Sequence, residues 1–332
     1  MSVPRAVFDQ TVASLFDPVA PYLRGEDVSE IMINGHDEIY VEKQGKVYLT
    51  ESRFASEHAL MSALRNLSQF VGRELTSRQP ILEARLPDGS RVEAIIAPAS
   101  ASGPIVCIRR FQRGQLTLDR LVESGALLSS TADLLRAALG RNDNLVIAGG
   151  SGTGKTSLLN ALASLASDEQ RVVVIEDSQE LQIALPHVVR LEAQPVDEAG
   201  RGGVTIRELL RATLRLRPDR IVIGEIRGGE ALDLIQAMTS GHRGCLSTVH
   251  ATLPVDTLSR LETMALMSDV AIPVSLLRKQ IASAVDTIVH VSRRTDGSRC
   301  VTHVTEVGGY DRDTGYQVRH LFEGGARPCG PE

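Results

Sequence analysis

Tryptophan is missing from the 332 residues of this chain, and aromatic residues of all kinds make up 3% of it. A protein that holds nucleic acid by stacking bases on aromatic platforms is therefore not expected. Nor is there the basic excess that a broad nucleic-acid footprint needs, because 36 Lys and Arg stand against 41 Asp and Glu, a formal net charge of −5. No apolar run approaches the roughly 20 residues of a membrane-spanning helix. The opening MSVPRAVFDQ lacks the apolar core of a signal peptide, so a cytoplasmic protein is expected, with any membrane association peripheral. The four cysteines, Cys107, Cys245, Cys300 and Cys329, form no CxxC or Cys/His cluster and read as reduced thiols, not metal ligands. Low-complexity tracts and fixed-period repeats are absent too.

What is present divides in two, as the length prior of about two domains suggests. In residues 1–111, alternating segments such as VSEIMI, EIYVE, KVYLT, RVEAIIA and PIVCIRRF read as strands. NGHDE and PDGS supply turns between them. Residues 4–23 and 56–71 carry apolar residues at helical spacing, so the first part is expected to be a small α+β domain. The polar stretch QRGQLT, residues 112–117, reads as a linker. Helical periodicity restarts in LDRLVESG and STADLLRAALG, each closed by a glycine suited to a helix C-cap. From Asn144 onward, apolar strands (NLVIAGG, RVVVIED, RIVIGEI, CLSTVHA) alternate with helices. That pattern places an α/β domain in residues 118–332, with a parallel sheet covered by helices on both faces.

Its first strand runs into Gly149, Gly150, Ser151, Gly152, Thr153, Gly154, Lys155 and Thr156, which satisfies GxxxxGK[ST] between a strand and a helix. Glycines let backbone N–H groups turn around a polyphosphate, and the helix adds its free N–H donors and positive dipole end. Lys155 is expected to reach the β- and γ-phosphates, Thr156 to offer its hydroxyl to Mg²⁺, and Ser157 to complete the ATP-binding segment. Hydrolysis needs acids at the following strand ends. Glu225, past RIVIG, is the candidate water-orienting base. Gly224 stands where an Asp would hold the metal shell, which leaves that carboxylate to Glu176 or Asp177. Thr248 and His250 alternate at the end of CLSTVHA and could sense the γ-phosphate. Arg207, Arg211 and Arg215 follow one another at i, i+4 and i+8, and require partners in a neighbouring subunit or nearby, Glu208 and Asp219 being the local choices. Arg91, Arg109 and Arg110 close the first domain near the linker and are candidate arginine fingers.

The chain resembles the secretion ATPases of the type II/type IV secretion superfamily, and within it the CpaF/TadA-like ATPases of Tad (Flp) pilus assembly. The resemblance is carried by LPDGSRVEAIIAP, GGSGTGKTSLLNAL, IEDSQELQ, VTIRELLRATLRLRPDRIVIGEIRGGEALDLIQAMTSGHRGCLSTVHA, QIASAVDTIVH and DGSRCVTHVTEV. It implies a hexameric ring whose subunits join an N-terminal domain to a RecA-like P-loop ATPase domain, with ATP and Mg²⁺ as cofactors. It also implies membrane-embedded platform proteins as partners at the cytoplasmic face of the inner membrane, and phosphate-reaching roles for His250, Arg91, Arg109 and Arg110. Many such relatives carry a long N-terminal extension, whereas this sequence opens almost directly at the domain containing ING, so either a short member or one without extension-mediated docking is expected; the tetracysteine zinc insert of some relatives is not found in the sequence, and the polar tail ARPCGPE is expected to be disordered. The alternatives are a ring ATPase of conjugative or effector type IV secretion, and a nucleotide-gated scaffold that does not hydrolyse ATP.

Overall fold

The computed structural model describes residues 16–25, 27–43, 45–86, 88–110, 117–194, 196 and 202–324. Residues 4–15 of the helical stretch expected over 4–23, all of the linker 112–117 but Thr117, and the tail 326–332 lie outside the described residues. The chain divides into two compact units, Met1–Gly114 and Gln115–Glu332.

In the first unit, β1 (Val28–Asn34), β2 (Glu38–Lys43), β3 (Lys46–Leu49), β4 (Ile81–Arg85), β5 (Arg91–Ile95) and β6 (Ile105–Arg109) pair antiparallel in the order β3-β2-β1-β6-β5-β4. Alternate residues such as Ile31, Ile33, Ile39, Val41, Val92 and Val106 point into one core. Leu60, Leu64 and Leu67 of the helix Glu57–Val71 close over it. Ser56 starts that helix by accepting the Ala59 N–H, and Gly72 ends it in the left-handed region at φ +66°. Of the N-terminal helical expectation, the described part is a 3₁₀ turn at Asp17–Val19 and a short helix, α1 (Ala20–Arg24). Pro18 and Pro21 set their first turns. We number the longer helix α2.

The second unit holds β7 (Leu145–Gly149), β8 (Val172–Glu176), β9 (Val188–Glu192), β10 (Arg220–Ile223), β11 (Leu246–His250), β12 (Thr287–Arg293), β13 (Arg299–Asp311) and β14 (Gly315–Glu323), in the order β14-β13-β12-β7-β11-β10-β8-β9. From β12 to β9 the pairing is parallel, whereas β13 and β14 extend one edge antiparallel. Leu145 and Ile147 face the core under α3 (Leu118–Glu123), α4 (Ser129–Gly140) and α5 (Lys155–Ala163). Val146 and Ala148 face the core under α6 (Ile206–Thr213), α7 (Glu230–Thr239), α8 (Pro254–Leu266) and α9 (Val274–Ala284). A strand covered on both faces has no polar side, which is why β7, β8 and β10 read as unbroken apolar runs. Among the described residues, no helix is long and apolar enough to cross a membrane.

Two local expectations are corrected. Gly125 closes α3 at φ +71°, but Gly140 lies within α4, and the left-handed position falls on Asn142 at φ +58°. Asn tolerates that region because its short polar side chain bonds locally. The arginine row is the second. α6 stops at Thr213, so Arg215 lies past its end, and Glu208 is taken by a capping box with Thr205. Arg207 and Arg211 instead share Asp233 of α7, at 2.6 and 2.7 Å, and Arg207 also meets Asp269.

One buried carboxylate thus bridges two guanidinium groups. Asp233→Ala is expected to cost about 1–3 kcal/mol, less than a fully buried pair because Arg211 is half exposed. Urea unfolding at pH 7 reads this as a lowered midpoint; an unchanged midpoint would show that the two arginines find water instead.

Candidate functional site

Parallel strands end at one edge of their sheet, so the carboxyl ends of β7, β11, β10 and β8 bring their last residues together. The loop after β7 is shaped by lack of space as much as by freedom. A Cβ on Gly149 would lie 2.3 Å from the Val291 carbonyl oxygen and 2.7 Å from Thr153 Oγ1. Gly152 and Gly154 adopt φ +68° and +94°. Lys155, the first residue of α5, is buried, and its Nζ donates to the carbonyls of Gly149 (3.1 Å) and Gly150 (2.6 Å). Thr156 is half buried and Ser157 exposed on the first turn of α5. The loop therefore presents a helix N-terminus, an ammonium and a hydroxyl together, a donor set suited to a polyphosphate and its divalent cation.

From Lys155 a line of polar contacts crosses the strand ends. Its Nζ lies 3.4 Å from His250 Nδ1, and His250 Nε2 lies 3.2 Å from Glu225 Oε1. Arg227 meets both Glu225 oxygens at 3.0 Å and reaches Asp177 Oδ2 at 3.3 Å. An ammonium only donates and a carboxylate only accepts, so His250 fits between them as the neutral imidazole with its proton on Nε2. Partial burial and the Lys155 charge both push its pKa below the usual histidine value, against the pull of Glu225. Burial alone would raise the Glu225 carboxyl, but the hydrogen bond and charge of Arg227, with the charge of Lys155, hold it below the ordinary glutamate value. Glu225 is thus an ionised acceptor.

Glu176, last in β8, is buried, and its Oε1 accepts the N–H groups of Glu180 and Leu181, both at 2.9 Å. Burial raises its pKa, and those two bonds oppose the rise. A Cβ on Gly224 would sit 3.1 Å from Glu176 Cγ and 3.7 Å from its Oε1. Glycine at 224 thus makes room for Glu176, whose carboxyl lies beside the place an aspartate would have filled. Thr248 does not face the loop with His250. It is buried and donates to the Gly224 carbonyl at 2.7 Å, tying β11 to the Glu225 segment.

The arginines of the first unit are placed within that unit. Arg91 and Arg109 are register partners on β5 and β6. Arg110 donates to the carbonyls of Gly25 and Val28, fastening the start of β1. Two residues escaped the sequence reading. Arg227 stands two positions beyond Glu225, where the strand has ended and no periodicity points to it. Arg299 donates from Nε to the Gly152 carbonyl at 2.9 Å, across 147 positions of chain.

The family described as "Type II/IV secretion system protein" matches residues 13–323. The chain is 33% identical over 314 residues to the conjugal transfer protein TrbB of Rhizobium radiobacter, an alignment covering 93% of each. It is 34% identical over 299 residues to the type IV secretion system protein PtlH of Bordetella pertussis, covering 82% of this chain and 88% of that one. Its fold is similar to that of the Legionella pneumophila ATPase DotB, with a TM-score of 0.63 at 18% identity, covering 87% of this chain and 79% of that one.

The contacts of His250 set its titration. Its pKa, followed by NMR, is expected below 6.5. In Lys155→Met, loss of the neighbouring cation stabilises the imidazolium, so the value should rise towards 6.5. No change in that variant would mean Lys155 does not sit beside the ring in solution.

Proposed function

The chain belongs to the type II/IV secretion system protein family, and we propose that it is the ATP-hydrolysing motor of a secretion or pilus-assembly machine. The observation that carries this reading is the line of contacts from Lys155 through His250, Glu225 and Arg227 to Asp177, set at the mouth of a phosphate-type loop. The loop N–H groups and Lys155 hold the phosphates, while Glu225 orients the attacking water and accepts its proton. His250 donates to Glu225 and fixes the direction of its carboxylate. Thr156, with Asp177 or Glu176 behind it, suits a Mg²⁺ ion, which when bound neutralises phosphate oxygens. Arg91, Arg109 and Arg110 are the candidate groups for the charge that develops on the transferred phosphoryl.

The work proposed is that of a hexameric ring at the cytoplasmic face of the inner membrane, acting on membrane-embedded platform proteins. QIASAVDTIVH and DGSRCVTHVTEV favour the Tad (Flp) pilus branch. The names of TrbB and PtlH favour a conjugal-transfer or type IV secretion machine as the second reading. A strain lacking the gene separates the two: loss of surface pili supports the first, and loss of plasmid transfer or effector export with pili intact supports the second.

Steady phosphate release from ATP is expected from the wild type, reduced roughly 10²-fold or more in both Lys155→Ala and Glu225→Gln. Equal release from all three would sink the site, and nucleotide binding without release would favour a scaffold. Arg109→Ala is expected to keep nucleotide binding while slowing turnover on the order of 10³-fold if it acts as a finger. Unchanged turnover in that variant removes it from the reaction.

A further inference from the structure

We propose that Arg299 is a positioning residue for the nucleotide loop: by holding the Gly152 carbonyl outward it turns the next peptide N–H inward, towards the phosphates. The proposal rests on the loop being an ATP site, and adds how a distant part of the chain sets its geometry. β12 lies beside β7 with Val291 opposite Gly149, and the Val291 carbonyl is the atom that leaves Gly149 no room for a side chain. The reversal after β12 returns the chain as β13, whose first residue is Arg299. That reversal is held by Asp296 Oδ1, which accepts the Ser298 N–H at 2.8 Å and its hydroxyl at 2.6 Å.

From there Arg299 reaches back over the loop. Its Nε donates to the Gly152 carbonyl at 2.9 Å, and its Cδ stands 3.2 Å from the place a Cβ on Gly154 would occupy. The guanidinium thus fixes one peptide of the loop while its stem lies along another. In a trans peptide the C=O and the following N–H point in opposite directions. Anchoring the Gly152 oxygen on the outer side therefore aims the Thr153 N–H to the inner side, where a nest of N–H groups binds an anion. An unanchored loop of three glycines would order this peptide only when the nucleotide arrives, and that entropy would be lost from affinity. The phosphates are gripped in ground state and transition state alike, so the effect falls on binding and not on the chemical step.

Three replacements separate this role from plain charge attraction. Methionine keeps the stem but has no donor. Glutamine places an amide N–H where Arg299 has Nε and carries no charge. Lysine keeps the charge on a different donor. Binding of ATP and ADP with Mg²⁺ is measured by calorimetry, alongside KM and kcat for phosphate release. Arg299→Met is expected to raise Kd and KM about tenfold, the worth of one charge-assisted hydrogen bond, with kcat within about twofold. Arg299→Gln is expected to recover most of that loss. The proposal is overturned if Arg299→Met binds normally, or if Arg299→Lys recovers affinity where Arg299→Gln does not. A wild type that binds no adenine nucleotide would sink the ATP-site reading itself, a result distinct from all of these.

Discussion

One neutral imidazole between an ammonium and a carboxylate governs the electrostatics of the site. His250 can stand 3.4 Å from Lys155 and 3.2 Å from Glu225 only while it accepts on one nitrogen and donates from the other. Were the ring charged, it would face Lys155 as a second cation. The cation is kept off the ring by Lys155 and partial burial, and the carboxylate is kept ionised by Arg227. Each group in the line therefore depends on the charge state of the next, and Asp177 at the far end completes the balance for Arg227.

This arrangement needs a parallel sheet. β7, β11, β10 and β8 deliver a lysine loop, a histidine, a glutamate and an aspartate from positions far apart in the chain, and only strands running the same way end at the same edge. Glu176 then lies close against Gly224, where a side chain would crowd it, and the hydroxyl of Thr248 donates to the Gly224 carbonyl. What reads along the chain as an incomplete motif is, in three dimensions, a matter of which neighbouring strand supplies the carboxylate.

Much of this was legible in the chain. The apolar runs of β7, β8, β10 and β11 and the glycine loop showed themselves because burial on both faces and phosphate binding each demand a narrow choice of residues. The apolar spacing of residues 56–71 likewise marked α2, which spans Glu57–Val71. β4, β9 and the strands after β11 were passed over. β4 and β9 are edge strands with little apolar contrast between their faces, and β13 and β14 form a partly exposed antiparallel ribbon. The partners of Arg207 and Arg211 were misjudged because Asp233 lies on another helix, and helical spacing says nothing about what packs opposite. Arg227 and Arg299 were invisible for a related cause, since their partners are set by tertiary contact and not by any local pattern.

The strand order has a consequence for how the protein comes into being. β7 lies between β11 and β12, so the strand that carries the glycine loop is flanked on one side by a segment made more than 130 residues later. A chain emerging from the ribosome therefore carries the loop for the whole of that interval with its flank still unmade. Long-range pairing of this kind forms late and slowly. The sheet edge that braces the loop can therefore close only after β12 has been translated, so the nucleotide loop and its brace are completed at different times.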